Sequence, residues 1–217
     1  YTVTRYDAAT DKRHTWIFSV LASGGQSVNL TEGFQSSGNP RWIDNSSIAF
    51  LSKDADHQKI WKMKSDGSDK KVISDVAGDI GGFEFAPDGK QLFYLFDVKM
   101  DSTTQDIYPD LPLAKGMIIE DMMYRHWDSW HDYAYTHIFI TRLSDDKISQ
   151  GTDIMEGGFY DSPLPPYFDV ADIAWSPDGT KLAYSSKKVK GKDFATSTNS
   201  DIYIYNNGTK TKRFFIH

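Results

Sequence analysis

Phe83-Glu84-Phe85-Ala86-Pro87-Asp88-Gly89-Lys90-Gln91-Leu92-Phe93-Tyr94 and Ile173-Ala174-Trp175-Ser176-Pro177-Asp178-Gly179-Thr180-Lys181-Leu182-Ala183-Tyr184 are two copies of one pattern. Each carries an aromatic residue, a small residue, Pro-Asp-Gly, a polar pair and then an apolar run. Pro presets φ for a turn, and Asp and Gly tolerate the conformations that reverse the chain, so the pattern predicts a β-hairpin. A shortened third copy is Arg41-Trp42-Ile43-Asp44-Asn45-Ser46-Ser47-Ile48-Ala49-Phe50.

A second hairpin accompanies each copy. Ile60-Trp61-Lys62-Met63-Lys64 turns at Ser65-Asp66-Gly67-Ser68-Asp69 into Lys71-Val72-Ile73. Ile138-Phe139-Ile140-Thr141-Arg142 turns at Ser144-Asp145-Asp146 into Lys147-Ile148-Ser149, and Ile202-Tyr203-Ile204-Tyr205 turns at Asn206-Asn207-Gly208. Near the start, Trp16-Ile17-Phe18-Ser19-Val20 turns at Ser23-Gly24-Gly25 into Ser27-Val28-Asn29-Leu30. Asp-Gly and Asn-Gly tips between alternating strands are strong hairpin signals.

The repeating unit is therefore two hairpins, four strands in about 43 residues, which is the size of a propeller blade. The expected fold is all-β: a partial β-propeller of four-stranded antiparallel blades with one mostly helical insertion. About four blades are read, over residues 1–31 (lacking the first strand), 39–78, 82–155 and 171–217. An antiparallel β-sandwich also alternates strands with Gly-rich turns, but the repeated turn sequence favours the propeller. A Kelch or WD-type repeat fits less well, because no Gly-His…Trp-Asp pattern recurs and His126-Trp127-Asp128 occurs once.

The pattern breaks over residues 98–135, between the third blade's second and third strands. The stretch Ala114–Asp128 mixes helix formers with apolar residues near helical spacing, which predicts one short helix with extended flanks. Residues 101–135 hold seven acids (Asp101, Asp106, Asp110, Glu120, Asp121, Asp128, Asp132) against Lys115 and Arg125, so most of the chain's net charge of −6 lies there. Such a surface attracts a cationic group, such as the amino terminus of a peptide. The same charge suits a solvated acidic loop.

Composition removes several function classes. The net negative charge argues against nucleic acid as a partner. No stretch approaches the ~20 apolar residues of a spanning helix, and no membrane partner is expected. The chain has no Cys, so disulfides, thiolate catalysis and Cys-ligated zinc are excluded. His126, Asp128, His131, Asp132 and His137 are close in sequence, but their spacing is not that of a zinc site, and His137 at a strand start reads as structural. Ser65-Asp66-Gly67-Ser68-Asp69 lacks the distal Glu of a calcium loop and reads as a hairpin tip. Gly-x-Ser-x-Gly, Walker and dinucleotide patterns are all missing. No catalytic residue, metal site or cofactor is expected within the chain.

The blade repeats Trp175–Tyr184 and Phe85–Lys90 resemble those of prolyl oligopeptidase-family propellers, and TolB-like propellers share them. More specific is Asp110-Leu111-Pro112 with Asp121-Met122-Met123-Tyr124-Arg125-His126-Trp127-Asp128-Ser129-Trp130. It resembles a stretch inside the propeller of bacterial dipeptidyl-peptidases, in the dipeptidyl-peptidase and acylaminoacyl-peptidase branch. The resemblance implies a larger enzyme: a propeller of about seven or eight blades, then an α/β-hydrolase domain of the same parent chain carrying a Ser-Asp-His triad. In that family the propeller caps the active site and restricts entry to short or unfolded peptides.

By the same resemblance, Glu120, Asp121 or Asp128 would anchor the free α-amino group of a peptide substrate, and Tyr124, Arg125 and Trp127 would shape the subsite. A periplasmic or secreted location is implied by the resemblance alone. The competing function is a TolB-like periplasmic propeller that binds protein partners and has no enzymatic role. A self-contained four-bladed ring is allowed by length, but the first unit lacks a strand. An unfinished ring would expose strand edges through which copies self-associate.

Overall fold

A computed structural model describes residues 1–120, 125, 126 and 128–216. The chain divides into two compact units, Tyr1–Tyr94 with Ile140–Thr152, and Leu95–Phe139 with Asp153–His217.

In the first unit, β1 (Thr2–Asp7), β2 (Lys12–Ser19) and β3 (Val28–Asn29) form a three-stranded antiparallel sheet. Next come β4 (Ser37–Asp44), β5 (Ser47–Asp54), β6 (His57–Lys64) and β7 (Lys71–Val72), a four-stranded antiparallel meander.

The third sheet is built from β8 (Ser74–Asp75), β9 (Gly82–Phe85), β10 (Gln91–Lys99), β13 (Ala134–Ser144), β14 (Lys147–Ser149) and β15 (Thr152–Asp153). Its order is β8-β14-β13-β10-β9, with β15 paired to β13. Between β10 and β13 lie α1 (Thr104–Ile107) and a hairpin of β11 (Arg125–His126) and β12 (Ser129–Trp130). In the second unit, β16 (Ile173–Trp175), β17 (Lys181–Ser186), β18 (Asp201–Asn206) and β19 (Thr211–Ile216) make another four-stranded antiparallel sheet, with α2 (Gly191–Thr196) between β17 and β18.

The repeated turns work through their Asp side chains. Asp178 Oδ1 accepts from Ser176 Oγ at 2.5 Å and from the Thr180 amide at 3.0 Å, which holds its carboxyl down at about 2. Asp88 accepts from the Lys90 amide at 2.9 Å, and Asp44 from the Ser46 amide at 2.7 Å. Asp66 does the same with Ser68 at 2.9 Å, so Ser65–Asp69 is a hairpin tip, as its sequence indicates. Gly89 has φ +66°, and a Cβ there would lie 2.7 Å from the Ile43 carbonyl. Its place in the repeat is set by backbone conformation and by close approach together.

Alternation and apolar content then decide burial. Every residue from Ser47 to Ser52 in β5 is buried. Ile48, Phe50 and Met63 form a core cluster with Ile17 and Leu30, and Phe34 and Trp61 pack against it. Phe34 meets Trp61 edge-on at 4.9 Å and Phe50 at 5.6 Å, geometries favoured by the ring quadrupoles. Polar ties join β4 to β9: Asn39 Nδ2 donates to the Phe83 carbonyl at 2.9 Å, and Arg41 pairs with Glu84.

The insertion corrects one expectation. Among the described residues it is not mostly helical: its only helix is the four-residue α1, and residues 114–120 take no regular structure. Pro109, Pro112 and Gly116 interrupt the pattern. The apolar residues meant for a buried stripe, such as Met117, Ile118 and Ile119, are exposed. A short helix in water needs such a face buried to be stable.

Candidate functional site

The insertion leaves β10 and returns to β13 through a narrow neck. The amides of Met100 and Asp101 both donate to the Tyr133 carbonyl, at 3.0 and 3.1 Å. Asp101 Oδ2 also accepts from His131 Nε2 at 2.9 Å and from the Tyr135 hydroxyl at 3.3 Å. One residue further into β13, Thr136 Oγ1 donates to Asp97 Oδ1 at 2.7 Å and the Thr136 amide to Asp161 Oδ1 at 2.8 Å.

Behind this neck His137 is wholly buried. Its Nδ1 lies 2.8 Å from Asp153 Oδ2 and its Nε2 2.9 Å from the Gly158 carbonyl. The ring is held by acceptors on both sides, and His137 is structural, as its place in a strand indicates. A Cβ at Gly158 would lie 2.6 Å from the Tyr160 ring and 2.7 Å from the Met155 carbonyl, so only glycine fits beside the imidazole.

Burial pushes the Asp161 carboxyl up to about 6; the neighbouring Asp97 adds to the rise, while the Thr136 amide, His131 and His137 oppose it. At the start of the insertion, Asp106 is held at about 2 by hydrogen bonds from Lys99 and Thr103. Asp106 and Thr103 form the capping box that starts α1.

The residues singled out from sequence are distributed as follows. Glu120 is exposed and precedes the hairpin. Arg125 and Trp130 are register partners across β11 and β12, and the guanidinium lies 5.3 Å from the Trp130 ring centroid. Asp128 is exposed in the turn of that hairpin. Asp121, Tyr124 and Trp127 lie outside the described residues. The structure thus joins Arg125 to Trp130, a pairing that the sequence does not announce.

Sequence reasoning missed the neck itself. Asp97, Asp101, His131, Tyr135 and Asp161 converge from positions up to 64 apart, and no local motif marks them. The signal available was the repeat: a unit of strands interrupted between its second and third strands must bring the ends of its insertion together.

A second cluster lies at the end of β17. Lys188 Nζ sits 3.6, 4.4 and 5.7 Å from the ring centroids of Tyr203, Tyr160 and Tyr184. Burial lowers its ammonium to about 8, while the aromatic faces favour the charged form.

Solved structures that share this fold include the β-propeller domain of a protease. The acylaminoacyl peptidase of Pyrococcus horikoshii matches at TM-score 0.63 and 14% identity, over 100% of this chain and 30% of that one. The β-propeller domain of the trilobed protease from Pyrococcus furiosus matches at TM-score 0.52 and 14% identity, over 100% and 53%. TolB from Acinetobacter baumannii matches at TM-score 0.50 and 14% identity, over 99% and 40%. These likenesses establish a propeller-like fold and do not separate a peptidase from a binding propeller.

Sequence relatives are more particular. The chain is 41% identical over 207 residues to Dipeptidyl-peptidase 5 of Porphyromonas gingivalis and 37% identical over 212 residues to that of Porphyromonas endodontalis. These matches take in 95% and 97% of this chain. The resemblance to prolyl oligopeptidase-family dipeptidyl-peptidases therefore holds: the chain is homologous, along nearly its whole length, to a segment of these proteins. It spans 30% of the length of each of these curated relatives. No protein-family model matches it.

Proposed function

We propose that this chain is the propeller portion of a serine exopeptidase of the dipeptidyl aminopeptidase type. On this reading its sheets are about four blades, over residues 1–31, 39–78, 82–155 and 171–217, and an α/β-hydrolase domain elsewhere in the parent chain supplies the triad. The propeller gates access to that domain, and the insertion meets the peptide's amino terminus. The observation that carries the reading is the 41% identity to a dipeptidyl-peptidase along 95% of the chain, insertion included.

Glu120, Asp121 and Asp128 supply the negative charge that holds the substrate's α-ammonium, by charge-assisted hydrogen bonds. Arg125, Tyr124 and Trp127 shape the subsite beside them. Support comes from the exposure of Glu120, Arg125 and Asp128, and from the Arg125–Trp130 stack that braces the hairpin. A propeller that only binds protein partners has no need of a long acidic and aromatic excursion in one blade.

The test is an assay of the full-length protein with a dipeptidyl chromogenic substrate and its N-acetylated counterpart. A kcat/KM at least ten-fold higher for the free amine supports the reading. Failure to cleave either substrate overturns it in favour of a binding propeller. Equal cleavage of both overturns the role given to the insertion.

A further inference from the structure

We propose that the neck of the insertion is a protonation-controlled clasp, closed in mildly acidic solution and loosened as the pH rises. It is closed by the His131–Asp101 pair and by the Thr136–Asp161 hydrogen bond, and it regulates how firmly the two ends of the insertion, at Met100–Asp101 and His131–Tyr133, are held together. The proposal is independent of which substrate the insertion meets.

Charge is concentrated at the neck. Asp161 is faced by Asp97 from β10, by His131 from the returning end of the insertion and by His137 from β13. Asp101 stands beyond His131 and Asp153 beyond His137. Ser186 from β17 contributes a neutral hydroxyl, which donates to the Asp161 carbonyl at 2.9 Å. The neck thus gathers four carboxyl groups and two imidazoles, with the Thr136 amide and hydroxyl between Asp161 and Asp97.

Protonation bears on both closing contacts. His131 and Asp101 attract as ions only while the ring carries a proton. Without that proton the contact is a hydrogen bond from an uncharged ring to the carboxylate, and the attraction between opposite charges is gone. Asp161, raised to about 6, gains its negative charge as the pH climbs past that value, against Asp97 and in a poorly solvated place. Raising the pH therefore weakens one closing contact and adds repulsion beside the other. Because the Asp161 carboxyl is raised in the folded neck, proton binding favours the closed form below about 6, and that preference is lost above it. His137 sits between Asp153 and the Gly158 carbonyl and fixes the strand against which the clasp acts.

Three amides report the clasp: that of Thr136 donates its bond to Asp161, and those of Met100 and Asp101 donate to the Tyr133 carbonyl, two residues from His131. We would measure hydrogen-exchange protection factors, corrected for intrinsic rates, in the full-length protein from pH 5 to 8. The Phe50 amide in β5 serves as reference. The expected result is a fall of about ten-fold at the three neck amides, corresponding to about 1.4 kcal/mol, with their protection below that of Phe50 at every pH, so that the neck opens without the fold. In Asp161→Asn, which keeps an acceptor for Thr136 without the charge, the fall shrinks to about three-fold or less. In His131→Gln the protection at pH 5 drops toward the wild-type value at pH 8. Neck protection independent of pH, or an identical profile in Asp161→Asn, would overturn the proposal. So would neck protection equal to that of Phe50 at every pH, which means that the neck opens only with the whole fold.

Discussion

Strand β5 and the insertion are equally rich in apolar residues and meet opposite fates. Ala49 and Phe50 are 0% exposed, while Leu113 is 90% exposed and Trp130 51%. The difference lies in what surrounds the apolar residues. The apolar run of β5 is flanked by β4 and β6 on its two edges and packed on the Ile17–Leu30 cluster. Residues 107–120 have Pro, Gly and acids between their apolar positions, and no regular partner. Hydrophobicity in the first stabilises the fold; in the second it makes a surface.

The sharpest way to break this contrast is Phe50→Ala. Loss of a wholly buried ring packed on Phe34 and Trp61 is expected to cost about 3–5 kcal/mol, read as a lower urea midpoint. A cost under about 1 kcal/mol would show that the cluster is not a core.

His137→Ala comes next. It removes contacts to Asp153 and Gly158 and leaves a mostly buried carboxylate without its partner, for an expected loss of about 3 kcal/mol. Substitution of His131, the partly exposed histidine of the neck, is expected to cost less than half as much in the same denaturation series.

Asp161→Asn should stabilise. The carboxyl is raised from 3.8 to about 6, so the native state binds the proton more tightly than the unfolded chain. Wild-type stability therefore falls as the pH climbs from about 4 to 6, and the deficit is constant above that. The variant escapes the deficit: equal to wild type near pH 4, it should be up to about 3 kcal/mol more stable at pH 7.5, the free-energy equivalent of the raised carboxyl. A constant difference between the two proteins from pH 4 to 8 would contradict this.

The smallest effect is expected at Leu113→Ala, less than about 0.5 kcal/mol, because this side chain is almost fully in water. A larger loss in thermal unfolding would mean that the insertion has a core after all.

How much the sequence disclosed follows the same divide. The Pro-Asp-Gly copies place β9 against β10 and β16 against β17. Asp145 and Asp146, both at positive φ, turn β13 into β14 where the tip was read. These features are local, since a turn residue acts on its own backbone. The insertion was legible as an interruption, with β10 ending at Lys99 and β13 starting at Ala134. Its conformation was not, because helix-forming composition says nothing about whether a face will be covered. The neck was the least legible part. Asp161 matters because the chain returns it to Thr136, and no pattern around residue 161 encodes that meeting. Of the acids assigned to the peptide's amino terminus, Glu120 and Asp128 are exposed, and their role rests on charge and resemblance.

The most direct test of that role is to neutralise Glu120, Asp121 and Asp128 together in the full-length protein. The kcat/KM ratio for a dipeptidyl substrate with a free amino terminus over its N-acetylated counterpart is then compared with wild type. This preference is expected to fall at least ten-fold, mainly through the free-amine substrate. A ratio unchanged from wild type would contradict it and place recognition of the amino terminus elsewhere in the parent enzyme.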